Sequence, residues 1–290
     1  MATIEFSEEQ SMLLETAADF CRTHSPVDAV RKQIDHEHST TPELWQAMAD
    51  LGWLGVTIPE QYGGLGMNLA DAVPIVESMG RHLMGSPFVA TTLAAQALIT
   101  SGSEQQKAHW LAEIAAGAPA SVALTEEDGN WRLQEISATA VATGDALILS
   151  GTKCFVLDAR QAQVVVASVM LEGAARLIAI HADQIPSGAL AREVVIDETR
   201  RSYTLQLDGI SVPQSQLLAG ADFAALEQAA MLLLVAEMSG GLAGVLHVII
   251  DYLTTRKQFD QYIGSYQSLK HPSVQILLSL EACRSHLYHA

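Results

Sequence analysis

The sequence predicts an α+β multidomain chain: an N-terminal α-helical domain over 1–118, a small all-β domain over 119–215 and a C-terminal helical region over 216–290. Three observations predict it. Apolar residues recur at three- and four-residue intervals up to about Ala118. At Pro119 the pattern changes to short β-branched and aliphatic runs between turn signals, and beyond Val212-Pro213 the helical spacing returns. With 290 residues more than one core is expected, because single cores stop growing near ~250–300 residues.

In order along the chain, Ser7-Glu8-Glu9-Gln10 has the form of a capping box that opens a first helix. Thr41-Pro42-Glu43 places proline in a first helical turn, and Ser103-Glu104-Gln105-Gln106 repeats the capping pattern. Between them, Leu51 to Gly66 is a glycine-dense loop able to adopt left-handed backbone near a ligand or a packed helix. The strand runs are Ala120–Leu124, Ala138–Ala142, Ala146–Ser150, Val164–Val169, Leu177–Ile180 and Tyr203–Leu207, with turns at Thr143-Gly144-Asp145 and Leu207-Asp208-Gly209. A long helix is expected from Phe223 to about Arg256, then a loop, then a helix from Leu269 onward.

The apolar run Ala229–Ile250 inside that helix raises the question of a membrane span. Glu237 and His247 interrupt it and Gly240, Gly241 and Gly244 weaken it, so the expectation is a helix buried on all sides in a bundle, with its glycines admitting a neighbouring backbone. A formal net charge of −17, from 16 Lys+Arg against 33 Asp+Glu, opposes nucleic acid as a partner. Cys21, Cys154 and Cys283 have neither metal-ligand spacing nor a disulfide framework, which fits a reducing cytoplasm. The acidic N-terminus lacks the form of a secretory signal. Against this background, Arg256-Lys257-Gln258-Phe259 delivers a guanidinium and, with Gln267, two amides to the end of a rigid helix. Such a cluster suits a pyrophosphate, since arginine offers phosphate oxygens a planar, permanently charged fork.

These residues resemble the acyl-CoA dehydrogenase family along the whole chain. The resemblance is carried by Leu51, Gly52, Pro59, Glu60, Tyr62, Gly63, Gly64 and Gly66, then by Glu77-Ser78-Met79-Gly80-Arg81 and Gly102 to Lys107. It continues through Ala123-Leu124-Thr125-Glu126 and Gly151-Thr152-Lys153 to Arg256, Gln258, Phe259, Ile263, Gly264, Gln267 and His271. It implies that the three parts above are an N-terminal α-helical domain, a small central β-barrel and the first part of a C-terminal helical bundle incomplete in these 290 residues, with FAD as cofactor, an acyl-CoA thioester as substrate in lipid β-oxidation chemistry, an electron-transfer flavoprotein as acceptor, and a homo- or hetero-oligomer without a membrane span. The family chemistry removes an α-proton with a carboxylate while a hydride leaves the β-carbon for the flavin.

The same resemblance assigns cofactor contacts residue by residue. Leu124 and Thr125 would meet the pyrimidine edge, Phe155 would form an aromatic wall with Val156 and Leu157 beside it, and Asn130 stands near the family's serine. Leu157 lacks the hydroxyl usual at its position, and Glu126-Glu127-Asp128 puts three acids near an anionic ligand. Arg256 and Gln258 would grip the pyrophosphate of a neighbouring subunit's FAD, Gln267 its adenosine half, and Phe259 would complete that patch by packing. His271 is expected to be structural, and His36 and His38, around Glu37, to lie in a solvated loop.

A catalytic base is not identifiable in residues 1–290: the family's helix position falls on Leu234, its frequent arginine neighbour on Val235, and Glu237 matches no known base. Two readings follow, an acyl-CoA dehydrogenase whose base lies in a further C-terminal segment, or a non-catalytic partner subunit of a hetero-oligomeric enzyme. An oxidase or monooxygenase on the same fold is a third.

Overall fold

The computed structural model describes residues 8–289. Its helices begin with α1 (Glu8–His24), α2 (Val27–Ile34), α3 (Pro42–Asp50), α4 (Val73–Arg81), α5 (Phe88–Ser101) and α6 (Glu104–Ala115). Nine strands follow: β1 (Ala120–Ala123), β2 (Thr139–Thr143), β3 (Ala146–Ser150), β4 (Thr152–Leu157), β5 (Val164–Leu171), β6 (Ala174–His181), β7 (Leu190–Arg192), β8 (Ser202–Gln206) and β9 (Ser211–Pro213). Then come α7 (Phe223–Thr255), a ribbon of β10 (Lys257–Gln258) and β11 (Gln261–Tyr262), and α8 (Gln267–Leu287). Helix starts follow their caps. Thr41 Oγ1 accepts the Leu44 N–H at 3.2 Å ahead of α3, and Ser103 and Gln106 cap each other reciprocally ahead of α6. The expected Ser7 cap lies outside the described residues.

The chain divides into two compact units. One takes its described residues from Met1–Val30, Ala70–Met84 and Met231–Ala290, the other from Arg31–Leu69 and Gly85–Ala230. In the second unit the sheet is curled but does not close, so the expected barrel is a half-barrel. A six-stranded sheet runs β1-β5-β2-β3-β9, with β6 paired antiparallel to β5 off that path, while β4, β8 and β7 form a separate three-stranded sheet. A barrel needs an unbroken ladder around its circumference, and here, among the described residues, β4 makes no ladder with the larger sheet and its backbone pairing on that side is an isolated bridge between Cys154 and Thr125. The apolar faces of both sheets share one core, including Leu147, Leu149, Val165, Ile178, Val156 and Leu205.

In the first unit, α4 crosses α7 where side chains are missing. A Cβ on Gly240 would lie 1.8 Å from the Glu77 carbonyl oxygen, and one on Gly80 would lie 2.1 Å from that of Glu237. Glycine at both positions is therefore a packing requirement. The expectation that α7 is buried all round is corrected. Its glycine face is covered by α4, but Met231, Met238, Val245 and Val248 form an outward stripe, with Met238 67% exposed. Among the described residues, α7 is the one helix long and apolar enough to cross a membrane by length and composition.

Candidate cofactor site

Three of the residues assigned to the flavin, Phe155, Val156 and Leu157, lie on β4, where the ladder is irregular, and Thr125 bridges to it at Cys154. Lys153 pairs with Leu205 and Val156 with Tyr203, so Cys154 and Phe155 together face Thr204 alone, which is a β-bulge. Phe155 takes φ +55°, a left-handed conformation that costs an L-residue about 1–2 kcal/mol. The bulge resets the alternation of the strand: Lys153 and Val156 are both fully buried, while the Phe155 side chain is 52% exposed. Val156, expected beside the cofactor, thus faces the core and has only backbone groups to offer. Leu157 is half-buried, and its carbonyl accepts the Ser121 hydroxyl at 2.5 Å.

Two clamps hold the bulge. On one side Cys154 N–H donates to the Thr125 carbonyl at 2.9 Å and Thr125 Oγ1 donates to the Cys154 carbonyl at 2.6 Å. A hydroxyl oxygen that donates in this way still has lone pairs with which to accept. The Leu124 carbonyl accepts from Ser168 Oγ at 3.4 Å. On the other side the Glu193 carboxylate accepts the Phe155 N–H at 3.2 Å through each oxygen.

Beneath the bulge sits a buried ion pair. Lys153 Nζ donates to Glu126 Oε1 at 2.7 Å and to Ser168 Oγ at 2.9 Å. Burial opposes ionisation of Glu126, yet Lys153 and the N–H groups of Ala138 and Ser137 outweigh it and hold the carboxyl below its usual range. The first of the three consecutive acids is therefore neutralised inside the fold, leaving Glu127 and Asp128 exposed. Asn130 closes its own loop: its side-chain N–H donates to Glu135 at 2.6 Å and its oxygen accepts the Arg132 N–H at 3.0 Å. Both polar ends of the amide are engaged locally.

The second group of assigned residues follows α7. Arg256 is exposed and makes no ion pair among the described residues. Its carbonyl accepts the Ile263 N–H at 2.9 Å, closing a ribbon in which Lys257 pairs with Tyr262 and Gln258 with Gln261. Phe259 and Asp260 form the turn with φ +53° and +61°, the signature of a type I′ hairpin. Phe259 was expected to pack, but the turn thrusts it outward, 87% exposed. Gln258, Gln267 and His271 are exposed as well.

Sequence reasoning missed three anchors. Buried Glu77 accepts from Arg284 Nε at 2.8 Å, Tyr288 Oη at 2.5 Å and Ser239 Oγ at 3.2 Å, fastening α8 and α7 to α4. Burial, then the bond to Glu77, pushes the Tyr288 hydroxyl well above its ordinary range. Buried Arg201 donates to the carbonyls of His36, Ile34 and Gln33, so the stretch around His36 and His38 is gripped through its backbone while its imidazoles are exposed. The third is Glu193. No short-range pattern marks them, since Glu77 and Arg284 are 207 residues apart.

The family description "Acyl-CoA dehydrogenase, N-terminal domain" fits residues 7–118, and "Acyl-CoA dehydrogenase, C-terminal domain" fits residues 225–290. The chain belongs to the acyl-CoA dehydrogenase family. The acyl-CoA dehydrogenase FadE12 of Mycobacterium tuberculosis is 29% identical over 297 residues, covering 96% of this chain and 75% of FadE12. A protein described as Tcur3481-Tcur3483 steroid ACAD is similar in structure, with TM-score 0.87 and 28% identity over 97% of this chain and 76% of that one. Butyryl-CoA dehydrogenase from Megasphaera elsdenii shares the fold at TM-score 0.88 and 20% identity, over 100% of this chain and 80% of its own. Leu234 and Val235, the positions to which the resemblance assigns the base and its arginine neighbour, are each 40% exposed on α7, and neither can carry a proton.

Proposed function

We propose that this acyl-CoA dehydrogenase binds FAD and takes part in α,β-dehydrogenation of an acyl-CoA thioester, with the functional division 1–118, 119–215 and 216–290. The observation that carries this reading is the β4 bulge, which spends backbone strain to expose an aromatic ring next to Thr125. Each unit by itself offers chemistry that fits part of a flavin dinucleotide: the second has a ring face at Phe155 with backbone polar groups and a hydroxyl at Leu124 and Thr125, and the first has an exposed guanidinium with an amide at Arg256 and Gln258. When bound, FAD would supply the hydride-accepting chemistry. The protein's own residues would orient it. Phe155 would cover one face and exclude water, and Thr125 would accept from the ring edge. Arg256 and Gln258 would hold the pyrophosphate of a second copy's cofactor, with Gln267 toward the adenosine. Asn130 could turn to a ligand only by releasing Glu135 and Arg132. An oligomer, an electron-transfer flavoprotein as acceptor and a cytoplasmic location complete the proposal.

FAD titration of the purified chain, followed by visible absorbance, tests this reading. Stoichiometric uptake and bleaching by an acyl-CoA are expected; a chain that cannot take up FAD refutes it. A second reading, that the chain is the non-catalytic subunit of a hetero-oligomer, is favoured by Leu234 at the helix position of the base. Turnover by the chain alone would exclude it, and turnover only on addition of a partner would establish it.

A further inference from the structure

Glu193 stands just beyond the end of β7, the strand farthest from β4 in the β4-β8-β7 sheet. Its side chain nevertheless reaches β4. The Glu193 N–H donates to the Ser202 carbonyl at 2.9 Å, and the carboxylate then passes over β8, accepting from Ser202 Oγ at 2.6 Å and Thr204 Oγ1 at 2.9 Å on the way to the Phe155 N–H. Thr204 is the residue left facing both Cys154 and Phe155. A regular ladder would give the Phe155 N–H a carbonyl on β8; the bulge removes that partner, and an anionic acceptor from a third strand replaces it. A Cβ-bearing residue stays in the left-handed region only where its surroundings over-determine it. The carboxylate does so here from the side opposite Thr125.

We propose that Glu193 is a positioning residue: by holding the Phe155 N–H, its carboxylate fixes the exposed phenyl ring as a wall for the flavin. This rests on the flavin reading above for the identity of the ligand, but the hold on Phe155 is a property of the ligand-free chain. Without Glu193 the strained residue relaxes to a right-handed or extended conformation, and the ring turns from the face it now presents.

The test uses the whole chain in two measurements. Hydrogen–deuterium exchange without FAD should show the amides of 154–156 exchanging faster in Glu193→Ala, with the β5 amides unchanged. FAD titration, read by visible circular dichroism of the flavin, should show roughly tenfold weaker binding and an altered band in Glu193→Ala, the size of a lost charge-assisted bond. Glu193→Gln keeps an acceptor oxygen and should lie near the parent in both. In a Phe155→Gly background glycine adopts the left-handed conformation freely, so adding Glu193→Ala should weaken FAD no further. Unchanged exchange and unchanged FAD affinity in Glu193→Ala, or a further loss in the Phe155→Gly background, overturns the positioning role. Failure of the parent itself to bind FAD, with exchange at 154–156 still faster in Glu193→Ala, overturns the ligand assigned to the ring.

Discussion

Phe155 and Phe259 share an uncommon conformation, with φ of +55° and +53°, and both present their rings to solvent. Their support differs completely. Phe155 lies on a strand bracketed by two buried charged residues, Lys153 paired with Glu126 and Asp158 bonded to Ser39 at 2.5 Å. Phe259 sits on a four-residue ribbon whose members are all exposed. The difference teaches where rigidity is needed. The strand under Phe155 is held by interior polar groups, and on the flavin reading proposed above that support fixes the face the ring presents. The Phe259 hairpin is held by its short ladder, its turn and a bond from Tyr266 Oη to the Gln258 carbonyl at 3.2 Å, all of them local and exposed.

The strongest way to break the first support is Lys153→Met. It leaves the Glu126 carboxylate buried without its cation, a change that costs about 3–5 kcal/mol. Denaturant unfolding should show a loss of that size with unchanged exchange at 257–262; a loss under ~1 kcal/mol would mean that the pair does not support the bulge.

The second support is sensitive to pH. Burial pushes the Asp158 carboxyl up from 3.8 to about 6, against the opposing pull of Ser39 and nearby arginines. The folded state therefore keeps a proton that the unfolded chain releases in between. Stability from this group is fully present below about 4 and is lost as pH rises toward 6, on the order of 2–3 kcal/mol in all. Asp158→Asn should flatten that slope in melts taken across the window. A slope unchanged in the variant would assign the effect to other groups.

How much of this was legible beforehand depends on the range of the interactions. Thr41 and Ser103 announce their helices because a cap acts within three residues, and the glycines of α7 announced a close crossing because only a missing Cβ permits one. The bulge had no such signal. Period-two alternation places Lys153 and Phe155 on one face, and nothing in Lys-Cys-Phe-Val shows that an extra residue will send Phe155 outward and Val156 inward. Glu193 lies 38 residues from Phe155, so its acceptor role follows only from the strand order. The open sheet was equally hidden, because six correctly placed strand runs do not say which of them pair. Among the assigned contacts, Thr125 and Phe155 come together on one bulge and Arg256 and Gln258 on one ribbon, while Val156 turns inward and Asn130 is engaged by its own loop.

The unit that carries the soft hairpin can also build a rigid anchor, and Glu77 shows it. Tyr288→Phe removes one of the donors to this buried carboxylate and should cost about 1–2 kcal/mol, seen as faster exchange along α8. Arg284 remains to neutralise the charge, so the loss stays below that of Lys153→Met. A larger loss would put the anchor's strength in the hydroxyl and not in the ion pair.

The smallest effect should come from easing the hairpin itself. Replacing Phe259-Asp260 with Asn-Gly supplies the residues that a type I′ turn prefers, relieving two left-handed side chains for a gain of about 1 kcal/mol that remains local to the ribbon. Exchange at 257–262 should slow while the denaturation midpoint hardly moves, since a ribbon this exposed contributes little to either core. If FAD affinity is also kept, Phe259 is dispensable, and the contacts proposed for this patch reduce to Arg256, Gln258 and Gln267. If affinity falls although the ribbon is firmer, the exposed ring is itself a binding surface, and the two phenylalanines differ in their support but not in their use.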